Sequence, residues 1–348
     1  MTASGHEDLR VLRGSRSGAT IAIAVHSTAL GPALGGVRMW HYDSVADGVD
    51  DALRLARAMT YKAAAAGLDL GGGKGVICVP TPERPAGELR RAMLLDFGDA
   101  VESLGGLYVT AEDVGTGAAD MVVIAERTAH VVGLPAECGG RGDPSPLTAR
   151  GVLAAIGACL EHRFGERSVA GVRVCVVGVG NVGGRLARML AGAGAELTIS
   201  DVDPARRALA VELGARWIDP GAAAAADCDV LAPCALGGAI DMATIRRLRC
   251  RIVCGSANNV LTDERLADAL AERGIVYAPD FIANAGGLIN VYAELRDLDG
   301  AVALRLVAEI GPTVRRLLAA ADAKGVTPLA AAQEQALERL QVATTAVA

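Results

Sequence analysis

Residues 174–183 read VCVVGVGNVG, an apolar run that leads into three glycines with the spacing GxGxxG. The apolar run predicts a buried strand, and the residues that follow predict a helix. In such a strand–turn–helix Gly178 makes the tight turn, Gly180 admits a pyrophosphate, and Gly183 lets the helix pack on the strand. The helix N-terminus then presents free N–H groups to the phosphates. The residues predicted to bind a dinucleotide here are Gly178, Gly180, Asn181, Val182 and Gly183.

Around this turn, short apolar runs alternate with helical patterns. That order is typical of βαβ units on a parallel sheet, and with the glycine turn it predicts a Rossmann domain in an α/β protein. The predicted strands are 174–177, 197–199, 230–232, 252–254 and 276–278, and the predicted helices include 182–190, 203–213 and 263–273.

The second predicted strand ends at Asp201, about 20 residues after Gly180, where dinucleotide-binding domains carry an acid. A carboxylate there accepts the ribose hydroxyls of NAD and repels the 2′-phosphate of NADP. We therefore expect NAD as the cofactor. Arg206 and Arg207 follow closely and could offset this preference.

Lysine is rare in this chain, which has 34 lysine and arginine residues but only three lysines. Two of the three, Lys62 and Lys74, flank the triple glycine of residues 71–73, whereas Lys324 resembles a solvated helix end. Arginine stays charged at any accessible pH, whereas the pKa of a buried lysine shifts readily. The placement of Lys62 and Lys74 therefore indicates positions where arginine would not serve. The three glycines favour either a flexible turn or a close approach of the backbone to a ligand.

A helix is predicted over residues 44–66, because Ser44 and Asp47 form a capping-box pattern ahead of a helical apolar stripe. Lys62 lies at the edge of this stripe, so its cation needs an anion nearby, from the protein or from a ligand. A strand is predicted directly after Lys74, at 76–79.

Polar residues follow several other predicted strands. Asp113 ends the run YVTAEDVGT at 108–116 and is a candidate acid or base, although acids at strand ends also serve as helix caps. Asn258 and Asn259 follow the strand at 252–254, and Asn284 follows the next one. Ligands bind at the carboxyl ends of parallel strands, so these asparagines are candidate ligand contacts, with turns or caps as the alternative.

The composition limits the class of protein. A chain of 348 residues that is 51% hydrophobic can form two domains with large cores, and a net charge of −6 without a basic patch argues against nucleic acid. No uncharged run reaches membrane-spanning length, and the start of the chain does not read as a signal peptide. The eight cysteines lack CxxC spacing and indicate a reducing cytoplasm, while the five histidines predict no metal site.

The turn-rich loop at 138–146 divides the pattern in two. We expect a substrate-binding, catalytic and oligomerisation domain at 1–140, completed by residues 320–348. The dinucleotide-binding domain then covers 141–319. The last helical stretch is predicted at 304–340, part of it packing back on the first domain.

Taken together, these motifs resemble the amino acid dehydrogenases of the glutamate/leucine/phenylalanine/valine group, and within it the leucine, valine and phenylalanine branch. The resemblance extends from LGPALGG at 30–36 to DFIANAGG at 280–287. Its most specific pieces are MTYK at 59–62, GGGK at 71–74, TAEDVGT at 110–116, APCALG at 232–237 and GSANN at 255–259. The resemblance implies an N-terminal α/β substrate domain and a Rossmann NAD-binding domain with a cleft between them.

The resemblance also implies roles for single residues. Lys62 would hold the substrate carboxylate with Gly35 and Gly36. Lys74, its pKa lowered by burial and by Lys62 as a neighbouring cation, would activate the water that attacks the imine, and Asp113 would exchange protons with the amino group. The remaining residues implied are Asn259 on the substrate, Thr148 and Asn284 beside the nicotinamide, and a side-chain pocket of Leu34, Met59, Ala111, Leu288 and Val291.

The expected activity is NAD-dependent oxidative deamination of an apolar L-amino acid. Ala111 matches the leucine and valine enzymes and Leu288 the phenylalanine enzymes, and because both restrict the pocket, valine, leucine and isoleucine are favoured. The alternatives are an aromatic amino acid dehydrogenase and a non-catalytic ligand-binding protein of this fold. The family also implies a homo-oligomer. One departure is Tyr292-Ala293-Glu294-Leu295, where the family usually reads Ala-Asp-Glu-Leu.

Overall fold

The computed structural model describes residues 5–235 and 237–347, so Leu236 of the motif at 232–237 lies outside the described residues. The chain divides into two compact units, each described here by itself. The first comprises Met1–Asp143, Val291–Leu298 and Ala336–Ala348, and the second comprises Pro144–Asn290 and Asp299–Gln335.

A five-stranded mixed sheet forms the centre of the first unit. Its strands are β1 (Asp8–Arg13), β2 (Thr20–Ser27), β3 (Ala33–His41), β4 (Gly71–Val79) and β5 (Tyr108–Glu112). They lie in the order β1-β2-β4-β3-β5, in which β3 runs parallel to both β4 and β5 while β2 is antiparallel to β1 and β4. Strand β3 therefore lies between the strand that carries Lys74 and the strand that leads to Asp113.

Three helices cover this sheet: α1 (Val45–Ala65), α2 (Gly87–Glu102) and α3 (Ala118–Ala125). Helix α1 begins with the predicted capping box of Ser44 and Asp47. Strand β2 alternates in the size of its side chains. Ile21 and Ile23 pack in a core with Phe97 of α2. The alanines between them, Ala22 and Ala24, pack with Ala52 and Ala56 of α1, so the small side chains lie where α1 crosses the sheet.

The predicted strands and helices of the first unit are present, and its sheet differs from the prediction in three respects. Strands β1 and β3 were not predicted. The sequence of β3, ALGGVRMWH, contains two glycines and an arginine, which have low β-propensity, and it forms a strand because both of its neighbours pair with it. The third difference concerns residues 71–73, for which a turn or loop was considered. They belong to β4 itself.

A six-stranded sheet forms the centre of the second unit. Its strands are β6 (Arg173–Val177), β7 (Glu196–Ser200), β8 (Arg216–Trp217), β9 (Val230–Pro233), β10 (Ile252–Val253) and β11 (Val276–Tyr277). The order is β11-β10-β9-β6-β7-β8, and every pairing is parallel. This doubly wound order confirms the predicted α/β fold with a Rossmann sheet.

The remaining helices follow in chain order. They are α4 (Ser145–Phe164), α5 (Asn181–Gly192), α6 (Arg207–Glu212), α7 (Met242–Arg247), α8 (Leu266–Glu272), α9 (Asp280–Ala283), α10 (Gly286–Leu295), α11 (Gly300–Ala308), α12 (Ile310–Lys324) and α13 (Pro328–Val347). The stretch predicted as one helical region at 304–340 is thus three helices. Gly325, with φ of 64°, ends α12 in the left-handed conformation that favours glycine.

Helix α13 reaches back to the first unit through Arg339. Its guanidinium donates to the carbonyl oxygens of Ala64 at 3.1 Å and Leu68 at 2.8 Å, and to the carboxylate of Asp69 at 2.8 Å. These carbonyls belong to the end of α1 and the segment after it, where a helix leaves backbone oxygens without helical partners. The C-terminal residues therefore cap the helix that carries Lys62.

Candidate active site

Lys74 and Asp113 meet on the first sheet. Lys74 lies within β4 and Asp113 directly follows β5, and Nζ of Lys74 is 2.9 Å from Oδ2 of Asp113. The Lys74 side chain is 6% exposed and that of Asp113 is 24% exposed. The structure therefore brings together the two residues that the sequence predicted to be catalytic, one within a strand and the other at the end of one.

The environment shifts the pKa of both groups. Burial lowers the pKa of Lys74 below its ordinary value, although the charge of Asp113 acts in the opposite direction. Burial raises the pKa of Asp113, but Lys74 and Arg38 outweigh it, so the pKa of this carboxyl is lowered. A buried lysine with a lowered pKa beside an ionised carboxylate is a candidate general base.

Arg38 and Asp51 complete this cluster, and the sequence analysis missed both. Nε of Arg38 donates to Oδ2 of Asp113 at 3.0 Å, and NH1 of Arg38 donates to Oδ2 of Asp51, on α1, at 2.8 Å. The signal that could have found Arg38 is a charged side chain within the apolar run of β3. Arg38 is also the cation that adds to the lowering of the Lys74 pKa, the role that the sequence analysis gave to Lys62.

Close packing against Tyr108, Phe97 and helix α1 explains three of the four glycines in β4. The Tyr108 side chain is fully buried, and its hydroxyl donates to the carbonyl oxygen of Gly35 at 2.6 Å. A Cβ atom at Gly73 or Gly75 would collide with the Tyr108 or Phe97 ring, and one at Gly72 would collide with the backbone of α1 at Thr60. The glycines of β4 therefore let a helix and two rings pack close to the strand that carries Lys74.

Gly35 and Gly36 are also fixed by packing. A Cβ atom at Gly35 would collide with the carbonyl oxygen of Gly73, and one at Gly36 would collide with that of Glu112. Both positions lie on β3, where Gly36 pairs with Ala111. Any larger residue would push β3 away from its neighbours and move Lys74 and Asp113 apart.

The other predicted substrate residues of the first unit occupy four elements. Lys62 is half-buried in the last turn of α1, and Met59 is half-buried one turn earlier. Leu34 on β3 and Ala111 on β5 are buried, and Val291 on α10 is half-buried. The predicted residue Leu288, at 6% exposure, belongs to the second unit.

The glycine turn of the second unit fits a dinucleotide at each position. Gly178 has φ of 89°, and a Cβ atom there would collide with Ala235. A Cβ atom at Gly180 would have nothing within 4 Å among the described residues, so space is open at the N-terminus of α5. A Cβ atom at Gly183 would collide with the carbonyl oxygen of Gly178, the close packing that the third glycine permits.

Asp201 follows β7 and is hydrogen-bonded to the glycine turn. Its Oδ2 accepts the N–H of Val179 at 2.7 Å, and its Oδ1 accepts the N–H of Asp203 at 2.9 Å. Arg206, which the sequence analysis considered a competing influence, has its Nε 3.6 Å from Oδ2 of Asp203. Its charge is therefore partly balanced within the same loop.

Two of the predicted asparagines of the second unit, Asn258 and Asn284, are hydrogen-bonded to each other. Asn284 is 4% exposed, and its Nδ2 donates to Oδ1 of Asn258 at 2.9 Å. Asn259 is exposed and has φ of 49°, which asparagine tolerates better than most residues. Thr148 is buried in the first turn of α4, and its hydroxyl donates to the carbonyl oxygen of Pro144 at 3.0 Å.

Within residues 5–235 and 237–347 no group of three or more histidine, cysteine or acidic side chains is placed to hold a metal ion. Over the same residues, no helix combines the length and the apolar character that crossing a membrane requires.

Comparison with known proteins gives two family matches. The family described as "Glu/Leu/Phe/Val dehydrogenase, dimerisation domain" matches residues 8–130. The family described as "Glutamate/Leucine/Phenylalanine/Valine dehydrogenase" matches residues 207–347. Between them the two matches cover most of both units.

The similarity to known proteins extends over nearly the whole chain. The chain is 44% identical to a leucine dehydrogenase of Geobacillus stearothermophilus, over 98% of this chain and 92% of that protein. It is 43% identical to a valine dehydrogenase of Streptomyces virginiae, over 97% of this chain and 94% of that protein. The crystal structure of an L-tryptophan dehydrogenase from Nostoc punctiforme superposes with a TM-score of 0.87 at 37% identity, over 98% of each chain. The resemblance in the motifs is thereby confirmed, and the chain belongs to the Glu/Leu/Phe/Val dehydrogenase family of amino acid oxidoreductases.

Proposed function

We propose that this chain catalyses the NAD-dependent, reversible oxidative deamination of an apolar L-amino acid to its 2-oxo acid, ammonia and NADH. The observation that carries the proposal is the buried Lys74 in contact with Asp113, 2.9 Å apart on adjoining parts of one sheet. A lysine with a lowered pKa is a base, and an ionised carboxylate beside it can exchange a proton with an amine.

NAD, when bound, accepts the hydride from the substrate Cα. The side chains of the first unit handle the protons and the carboxylate. Asp113 takes a proton from the substrate ammonium and returns it to the leaving ammonia. Lys74 removes a proton from the water that adds to the Cα of the iminium, and the ammonium of Lys62 binds the substrate carboxylate beside Gly35 and Gly36. Since β3, β4, the end of β5 and the last turn of α1 hold these groups, little reorganisation is needed during the reaction.

The cofactor assignment is supported by the glycine turn and by Asp201. Open space at Gly180 and the free N–H groups at the start of α5 suit a pyrophosphate. The half-buried carboxylate of Asp201 suits ribose hydroxyls and disfavours a 2′-phosphate. Thr148, Asn258 and Asn284 are assigned to the nicotinamide side, and Asn259 to the substrate.

The substrate assignment is supported by the size of the pocket side chains and by the leucine and valine dehydrogenases among the similar proteins. Ala111 and Leu34 are buried on neighbouring strands, so a methyl group and an isobutyl group restrict the space beside Asp113. Leu288, in the second unit, is assigned to the substrate side chain by the family resemblance. Valine, leucine and isoleucine are therefore preferred over phenylalanine.

The domain roles follow the same assignment. Residues 1–140, completed by residues near 320–348, bind the substrate and form the contacts of a homo-oligomer, and residues 141–319 bind NAD. The description of the family that matches residues 8–130 as a dimerisation domain supports the oligomer.

The test is NADH formation by the purified chain with NAD and single L-amino acids. The panel contains valine, leucine, isoleucine, phenylalanine, tryptophan and glutamate. Turnover with the branched aliphatic substrates at the highest kcat/KM supports the proposal. No turnover with any of the six would reject it, and a higher kcat/KM for phenylalanine or tryptophan would reject the substrate assignment alone.

A further inference from the structure

Asp113 contacts two cations through one oxygen. Nζ of Lys74 lies 2.9 Å from Oδ2, and Nε of Arg38 lies 3.0 Å from the same atom. The two cations come from adjacent strands, β4 and β3. Because Lys74 and Arg38 share this one carboxylate oxygen, its negative charge is divided between the two cations.

Arg38 also binds a second carboxylate, that of Asp51. Its NH1 donates to Oδ2 of Asp51 at 2.8 Å, and the same oxygen accepts the hydroxyl of Tyr42 at 2.7 Å. Asp51 also accepts Arg54 through Oδ1 at 2.6 Å. The guanidinium therefore bridges Asp113 and Asp51 with two different nitrogens, which its rigid fork of donors permits.

The end of this chain of charges at Asp51 reaches solvent. Arg38, Tyr42, Asp51 and Arg54 are among the residues that line an open pocket of about 530 Å³. The Arg54 side chain is 62% exposed, whereas Lys74 at the other end is 6% exposed. Arg38 and Asp51 therefore link the buried Lys74–Asp113 pair to a charged side chain, Arg54, that is exposed to water.

We propose that Arg38 is a positioning residue for the deamination: by holding Oδ2 of Asp113 towards Asp51, it prevents Asp113 from pairing with Lys74 alone and so keeps Lys74 available as a base. The inference rests on the proposed function for the reaction, but the arrangement of the three side chains can be tested without turnover.

The charged groups around Lys74 determine in which direction the loss of Arg38 shifts the pKa of Lys74. Asp113 and Asp51 raise the pKa of Lys74, whereas burial, the largest influence, and Arg38 lower it. Without Arg38, Asp113 turns wholly to Lys74 and the repulsion between the two cations is lost. Both changes raise the pKa of Lys74, so less of the base form is present at neutral pH.

The small number of lysines makes a direct measurement possible. Lysine labelled with ¹³C at Cε gives signals from Lys62, Lys74 and Lys324 alone, and the variants Lys62→Arg and Lys324→Arg identify two of them. The Lys74 signal is titrated in the wild type, Arg38→Gln, Arg38→Lys and Asp113→Asn, with Arg54→Gln as the matched control. Arg54 contacts Asp51 but not Asp113.

We expect Arg38→Gln to move the Lys74 titration to higher pH and Asp113→Asn to move it to lower pH, while Arg54→Gln leaves it unchanged. Arg38→Lys retains the charge but not the fork that reaches both carboxylates. The titration should therefore move to higher pH by less than in Arg38→Gln, and kcat should fall by up to ~10²-fold, as for a misplaced catalytic group. The pH profile of kcat/KM should move in the same direction as the titration in each variant.

Two results would overturn the proposal. One is a Lys74 titration in Arg38→Gln that matches the wild type. The other is Arg38→Lys with wild-type kcat, which also decides the matter if Arg38→Gln does not fold. If the wild type shows no deamination at all, the proposed function fails, whereas the Lys74 titrations still test the role of Arg38.

Discussion

The carboxylate of Asp201 accepts the amide N–H of Val179 at 2.7 Å, which joins the end of β7 to the glycine turn after β6. The residue assigned to cofactor choice therefore also holds the loop assigned to the pyrophosphate. Removal of the whole side chain would disturb both, so the substitution that tests cofactor choice has to retain an acceptor oxygen.

We expect the wild type to use NAD with a higher kcat/KM than NADP, and Asp201→Asn to narrow this difference. The amide oxygen can still accept the Val179 N–H, while the negative charge that repels a 2′-phosphate is gone. Two unit charges ~4 Å apart interact by about 1 kcal/mol even in bulk water, so the preference should fall by at least ~5-fold. Equal kcat/KM for the two cofactors in the wild type would contradict the assignment and point to Arg206 or Arg207.

Lys74→Ala should lower kcat by ~10²–10⁴-fold, the usual contribution of a general acid or base, with NAD affinity retained. Lys62→Ala should instead chiefly raise the KM for the amino acid, because it removes binding of the ground-state carboxylate. Steady-state kinetics and NAD titration separate the two outcomes. Lys324→Ala is the matched control, since Lys324 pairs with Glu334 on the surface. Near-normal turnover of a folded Lys74→Ala variant would remove Lys74 from the mechanism.

Ala111→Gly should raise the ratio of kcat/KM for phenylalanine to that for leucine. The buried methyl of Ala111 lies on β5 opposite Gly36, and its loss deepens the pocket beside Asp113. A methylene in a hydrophobic pocket is worth about 1–3 kcal/mol, so a change of ~10-fold or more in the ratio is expected. An unchanged ratio would show that Ala111 does not limit the substrate side chain.

Glu294→Ala should destabilise the first unit by about 1.5–3 kcal/mol, the range for a hydrogen bond to a charged group. The carboxylate of Glu294 accepts the N–H groups of Gly133 at 2.9 Å and Arg141 at 3.0 Å, and so ties this loop to α10. Chemical denaturation measures the loss, and Glu334→Ala, at an exposed surface pair, is the control. Equal stability of the two variants would mean that the loop does not depend on Glu294.

The departure next to Glu294 has a physical account. Ala293 is fully buried, so the acid that relatives carry there would need a partner in this chain. Tyr292 is half-buried, and the Arg296 guanidinium lies 5.8 Å from the centre of its ring. The sequence marked these positions as unusual, and in the structure they are a small buried side chain and a ring in a cation–π contact.

The sequence determined the features that depend on neighbours along the chain. Period and length identified the strands of the second sheet and helix α1, because the alternation of apolar and polar residues depends on local geometry. Two glycines of the GxGxxG turn have local reasons: Gly178 has a positive φ, and a Cβ atom at Gly183 would collide with the carbonyl oxygen of Gly178. Gly180 instead leaves space open. The rarity of lysine made Lys74 a candidate catalytic residue, because a residue retained against a strong preference for arginine needs a chemical reason.

Only the tertiary structure decided which groups surround Lys74. Strand β3 contains glycines and a charged residue, so its own sequence did not predict a strand. The order β4-β3-β5 places the strand that carries Arg38 between the strand of Lys74 and the strand that leads to Asp113. Asp51 joins the cluster because small alanines let α1 cross close to this sheet. The pKa of Lys74 depends on burial and on these charges, which come from elements far apart in sequence, and no local pattern encodes their distances.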